Sequence, residues 1–206
     1  MNGRWWTLGL ALVAAACGAQ AQEQLQAERA AAELACKPQA PFEELAGRAS
    51  PYDSAMIDVE GLRAKICYSR PYMKGRLIFG PEGEALVPFG KLWRTGANEP
   101  TTLHLATPAQ IAGIAVEPGS YSLYTIPGEA EWTVIVNRST SQWGHESRYT
   151  PEVQAQEVGR GTVASEVVSE PIEQFTIRWQ PAGAGATLVL EWADRRVSIP
   201  VTAATT

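Results

Sequence analysis

Histidine is scarce in this 206-residue chain: His104 and His145 are the only two, and they lie far apart in sequence. Cys-x-x-Cys and His-x-x-x-His spacings, which gather zinc ligands on one turn or one helix face, are missing. No metal and no cofactor is expected on that basis. Neither Gly-x-Ser-x-Gly nor Ser-x-x-Lys occurs, which removes the recognisable serine nucleophiles. Gly-x-Gly-x-x-Gly and the lysine-containing P-loop are absent too, so no glycine loop is marked out for nucleotide phosphates. Runs of lysine or arginine are lacking. With 17 basic against 22 acidic residues the net charge is −5, which leaves no footprint for nucleic acid or anionic lipid.

Long apolar stretches are confined to the start. Arg4 precedes twelve residues, Trp5 to Ala16, that carry no charge. A spanning helix needs roughly 20 apolar residues, so this pattern reads as an export signal, residues 1–21, and places the protein in the periplasm, outside the cell or on a lipid anchor. Two processing routes fit. Ala19-Gln20-Ala21 has the small-x-small form cut by signal peptidase, which would leave Gln22 first. Ala14-Ala15-Ala16-Cys17 resembles a lipobox in which Cys17 takes the lipid, although the usual aliphatic residue three places before the cysteine is lacking.

Either route retains Cys36 and Cys67. In an oxidising compartment such a pair is a disulfide candidate closing a loop of about thirty residues. The alternative is two unconnected buried thiols. Residues 22–37 have helix-favouring composition, and prolines 38, 41 and 51 suggest a linker, so residues 22–49 are expected to form a helical or flexible arm.

From Ser50 the texture becomes short alternating runs. Leu62, Ala64, Ile66 and Tyr68 alternate with Arg63, Lys65, Cys67 and Ser69, the period of a half-buried strand. Cys67 falls on the face away from the core. Similar runs predict strands at 54–59, 101–107, 111–116, 119–126, 131–137, 162–168, 173–180, 186–192 and 195–201, with Ala193-Asp194 as the last hairpin. His104 is expected on the strand's polar face, solvated or hydrogen-bonded. The spacing implies one all-β domain over residues 50–202, an antiparallel β-sandwich of jelly-roll-like form, with 203–206 as a tail.

Four stretches break the alternation with polar and aromatic residues: 68–80, 86–99, 119–128 and 137–144. Tyr-Ser-Arg-Pro at 68–71, Lys-Gly-Arg at 74–76, Trp-Arg-Thr-Gly-Ala-Asn-Glu at 93–99, Tyr-Ser-Leu-Tyr at 121–124 and Trp143-Gly144 lie among them. In that order they resemble the domain-of-unknown-function 2911 family of exported bacterial proteins. The resemblance runs from about Ser50 to Val201. It implies an exported or lipid-anchored β-rich domain and supplies no reaction, and it singles out Arg70, Lys74, Arg76, Trp93, Arg94, Asn98 and Glu99.

Two readings of that set stand. In one, residues 95–98 form a turn, Trp93 packs in the core, and Arg94 and Glu99 pair with each other or cap the turn. In the other, Arg70 or Arg76 converges with Arg94, Asn98 and Glu99 on a site, joined by Lys74, Trp93 and Trp143. Guanidinium forks suit carboxylate or phosphate and an indole suits a sugar ring. The expected partner is then a small anionic or glycan-like ligand, or an envelope protein. A hydrolase-like enzyme with Glu99 as acid or base and Arg94 as charge stabiliser is the remaining alternative.

Overall fold

The computed structural model describes residues 34–59, 61–183 and 185–204. The export signal, Cys17 and most of the expected arm helix lie outside the described residues. Among those described, no helix is long and apolar enough to cross a membrane.

Eleven strands build the domain: β1 (Tyr52–Val59), β2 (Leu62–Ser69), β3 (Phe79–Gly80), β4 (Val87–Pro88), β5 (Thr101–Leu105), β6 (Ala109–Ile111), β7 (Ile114–Val116), β8 (Gly119–Ile126), β9 (Glu131–Asn137), β10 (Glu157–Ala182) and β11 (Gly185–Ala203). Nine hydrogen-bond in the order β1-β2-β5-β8-β9-β10-β11-β6-β7, every neighbouring pair antiparallel. β3 and β4 form a separate parallel pair of two residues each.

Strand β10 makes the sandwich. Its first part, Glu157 to Ala164, pairs with β9, and from Ser165 onward it pairs with β11. One strand therefore belongs to both layers. The first layer is β1-β2-β5-β8-β9 with the start of β10; the second is the rest of β10 with β11, β6 and β7. Tyr68 of β2 stitches them, its hydroxyl donating to Ile177 O at 3.1 Å and accepting from Ile177 N at 2.8 Å. The segment after β2 then pairs with β10, through Tyr72 opposite Gln174 and Phe175 N donating to Pro71 O at 2.9 Å.

Three expected boundaries are corrected. Residues 111–116 are not one strand but the β6–β7 hairpin, turned by Ala112 at φ 49 and Gly113 at φ 81. The runs 162–168 and 173–180 are one strand, with Pro171 in an irregular stretch where the register shifts. Ala193-Asp194 is no hairpin. Ala193, at φ 51, bends the continuous β11 where the four residues 168–171 of β10 stand against Asp194 alone. That is a bulge, which kinks a strand without reversing it.

The core fills from alternate strand positions, among them Leu62, Ile66, Leu103, Leu123, Val134, Val136, Leu188, Leu190 and Val197, all at most 1% exposed. At one end it is aromatic. Trp93 and Trp192 stack at 5.8 Å, with Phe79, Trp132 and Phe175 packed around them.

The outer face of the first layer differs from expectation. Of the two alternatives for His104 the hydrogen-bonded one holds, with the ring 2% exposed and not solvated, and Ser122 and Asn137 are fully buried. Residues 34–48 lie over part of this face. Cys36 is bonded to Cys67, with Cα atoms 5.9 Å apart, and Leu34 and Leu45 are buried. A loop of this length is worth roughly 3–4 kcal/mol in the chain-entropy account of disulfides. Polar groups under the cover are matched: His104 Nδ1 lies 2.8 Å from Ser120 Oγ, and Asn137 Nδ2 donates to Val153 O at 2.7 Å.

Candidate functional site

Two loops meet at the aromatic end of the sandwich. The first runs from Trp93 to Glu99, between β4 and β5. Trp93 anchors it by exchanging backbone hydrogen bonds with Thr125 of β8, at 2.8 and 2.9 Å, and by donating from its indole to Gly96 O at 3.1 Å. Two of its residues, Thr95 at φ 58 and Asn98 at φ 60, adopt the left-handed region. For a β-branched threonine this is a strained conformation. Thr95 is held there fully buried, its hydroxyl 3.0 Å from that of Thr125, while Thr101 Oγ1 donates to its carbonyl.

The second loop runs from Arg138 to Thr150. Ser139 N donates to Asn137 Oδ1 at 2.8 Å, and Gln142 donates to the Tyr124 hydroxyl at 3.0 Å. His145 caps the 3-10 turn Glu146–Arg148 by accepting from Ser147 N at 3.2 Å. Tyr149 packs edge-on to Tyr124 at 4.6 Å and donates to Glu157 Oε1 at 2.7 Å. Burial, and then that hydrogen bond, hold its phenol far above the usual range. Gly144 touches the first loop so closely that no side chain fits between them.

Between these loops and the β3–β4 excursion lies a cleft of about 530 Å3. Trp93, Trp192, Leu86, Leu92 and Tyr149 contribute apolar wall, and Arg76, Lys91, Arg94 and Glu146 contribute charge. The volume sits within the 300–1,000 Å3 usual for small-molecule sites.

The singled-out residues divide sharply. Arg76, Trp93 and Arg94 line this cleft. Arg70 does not: its Nε donates to Phe175 O at 3.1 Å, Nη1 to Asp53 at 3.0 Å and Nη2 to Thr176 Oγ1 at 2.9 Å. It ties β1 and β10 together. Lys74 is exposed, at φ 50, with its backbone N–H on Glu173 Oε1. Asn98 reaches Ser69 Oγ at 3.4 Å, and Trp143, 42% exposed, is outside the cleft wall.

Arg94 and Glu99 do not pair with each other. Glu99 is 5% exposed and accepts from Arg48 Nη1 at 2.6 Å, while its Oε1 has no partner among the described residues. Its charge is also felt by Tyr52, whose phenol is raised to about 12 by burial first and by Glu99 second. Arg94 is the reverse case. Its Nε is buried without a hydrogen bond among the described residues, and its Nη1 reaches Glu146 Oε2 only at 3.8 Å. Its side chain keeps 22% of its surface, and it lines the cleft.

Lys91, Glu146, Tyr149 and Arg48 were not marked by any motif. Lys91 reaches the cleft from the turn after β4, Glu146 and Tyr149 reach it from the second loop, and Arg48 comes from the segment expected to be a linker. A hydrophobic rim residue such as Leu86 carries no local signal either.

Residues 50–201 match the family described as protein of unknown function (DUF2911), and the chain belongs to it. No curated protein and no solved structure matches the chain.

Proposed function

We propose that this protein is an exported, non-catalytic binding module of the bacterial envelope, and that the cleft beside Arg94 holds a small ligand carrying a carboxylate or phosphate. Export is supported by the N-terminal pattern and by the Cys36–Cys67 bridge, a bond that persists in oxidising compartments. The observation that carries the binding reading is Arg94. A largely buried guanidinium is stabilised by engaging its donors, as Arg70 does with three partners. Arg94 instead lines a cleft with its Nε buried and unbonded among the described residues and its Nη1 no nearer than 3.8 Å to Glu146, and the terminal nitrogens of such a fork suit a planar carboxylate or a phosphate. Arg76 adds a second guanidinium, oriented by the carbonyls of Met73 and Tyr72 at 2.9 and 2.6 Å. With Trp93 only 4% exposed, an anionic group is favoured over a sugar ring stacked on its indole.

A thermal-shift screen of organic acids, sugar acids, sugar phosphates and neutral sugars tests this. At a ligand concentration of about 100 times Kd, binding adds roughly 2.7 kcal/mol, which raises the melting temperature of a domain this size by about 5–10 °C. An acid-bearing ligand should do so in the native protein and not in Arg94→Ala. If acids shift both proteins equally, or if only neutral sugars stabilise, the reading fails.

A further inference from the structure

Three residues of the cleft mouth narrow the ligand class. Arg76 and Leu77 are consecutive, and Leu77 O accepts from Leu86 N at 3.0 Å across the β3–β4 excursion. Leu77 is 53% and Leu86 48% exposed, and Leu86 itself lines the cleft. A single exposed leucine means little. Here the two are joined through the backbone: Leu86 lines a cavity whose wall continues through Leu92 and Pro88, and Leu77, outside that wall, directly follows Arg76, a guanidinium of the wall with Nη1 unbonded among the described residues. Cation and apolar lip come from the same strip of chain. Lys91 stands on the same rim, 3.0 Å from Glu82. This local concentration of positive charge runs against a net charge of −5, so it is not a by-product of composition.

We infer that the ligand is a small single-chain amphiphile whose anionic head meets Arg94 and Arg76 and whose apolar chain lies along Leu86 and Leu77. This rests on the cleft being an anion site. An anion without a chain would leave the leucine rim unused, and a neutral apolar molecule would leave two guanidinium groups desolvated beneath it. An amphiphile satisfies both. The Arg94–Glu146 contact at 3.8 Å is loose enough for a head group to take its place.

The test uses the full disulfide-bonded protein and titration calorimetry with monoalkyl phosphates from ethyl to octyl, each below its micellar concentration, and inorganic phosphate as the head alone. Affinity should rise about two- to fourfold per added methylene as the chain is buried. In the Leu77→Ser, Leu86→Ser double variant, whose changes fall on exposed side chains, that rise should flatten while ethyl phosphate binds as before. Arg94→Ala should lose the whole series, with its urea midpoint measured to show that it is folded. Affinity independent of chain length overturns the amphiphile inference and leaves the anion site standing. Loss of binding by every member overturns both. Binding to phosphatidylglycerol vesicles without binding of any monomeric alkyl phosphate overturns the cleft as the site and points to the rim as a membrane contact.

Discussion

Gly144→Ala should separate the two loops that wall the cleft. Built on the present backbone, the new Cβ would lie 2.1 Å from Asn98 O, 2.7 Å from Arg94 Cδ and 2.8 Å from the Glu99 carbonyl carbon. Ordinary contact starts near 3.4 Å, so one loop must retreat by about 1.3 Å. The first loop resists. Trp93 is clamped to Thr125, and Thr95 is fixed by buried hydroxyls. The loop from Arg138 to Thr150 would therefore move and take Glu146 and Tyr149 with it. Overpacking of this kind costs about 1–3 kcal/mol. In a domain of this size that lowers the melting temperature by roughly 2–12 °C. Affinity for an anionic ligand should fall about tenfold, equivalent to about 1.4 kcal/mol. Gly47→Ala is the control, because its Cβ would meet nothing within 4 Å and it should be near neutral. Calorimetric melting and ligand titration of both variants decide the matter. A Gly144→Ala protein with unchanged melting and unchanged affinity would refute the close approach of the loops.

Arg48→Met should strand the Glu99 carboxylate, which already has one oxygen unpartnered. With Arg48 18% exposed, a loss of about 2–3 kcal/mol is expected in urea unfolding, somewhat below that of a fully buried pair. Adding Glu99→Gln should recover most of it, and no recovery would mean that packing of the Arg48 stem, not charge, is responsible. His104 should make the protein acid-sensitive before its carboxylates do. Burial, helped by Lys37 and Lys65, lowers its pKa to about 4 from 6.5. Above pH 6.5 the ring is neutral whether folded or unfolded, and it has no effect on the pH dependence. As pH falls from 6.5 towards 4 the unfolded chain takes up a proton that the folded one refuses, so stability declines by up to about 3 kcal/mol and then levels off. His104→Gln should show a smaller drop in urea midpoint between pH 7 and pH 4.5, and equal drops in the two proteins would exclude His104 as the cause.

The strands were legible wherever one face met the core and the other met polar residues. Leu62 to Ser69 is the clear case, with Leu62, Ala64, Ile66 and Tyr68 buried as their alternation demands. Periodicity says nothing, however, about whether successive runs are collinear. The pieces of β10 looked like two strands because Pro171 interrupts them, and those of β11 because Ala193-Asp194 resembles a turn. Only pairing across the sheet, with four residues of β10 set against a bend in β11, distinguishes a bulge from a hairpin. The burial of His104 was equally invisible. It depends on a segment some sixty positions earlier, held over the sheet by Cys36.

The site was legible as a list of residue types and not as roles, and the arginines show why. Arg70, just after β2, and Arg94, in the loop before β5, are both family-motif arginines, and composition treats them alike. What separates them is the number of acceptors the fold places within reach. Arg70 has a carbonyl, a carboxylate and a hydroxyl, so its guanidinium is a structural tie between β1 and β10. Among the described residues Arg94 has one carboxylate at 3.8 Å and a buried Nε with no acceptor. Glu99, five positions from Arg94, is withdrawn by Arg48 from the charge balance of the cleft. The same loop holds Thr95 at φ 58, a conformation that costs on the order of 1–3 kcal/mol and persists because surrounding hydroxyls over-determine it. A loop serving only to reverse the chain could relieve that strain with glycine, since glycine reaches positive φ without steric penalty. Retaining threonine there keeps its hydroxyl on Thr125, keeps Trp93 clamped, and so fixes the backbone from which Arg94 extends. The strain and the clamp are one arrangement, and its consequence is a fixed backbone from which the Arg94 side chain extends to the cleft wall.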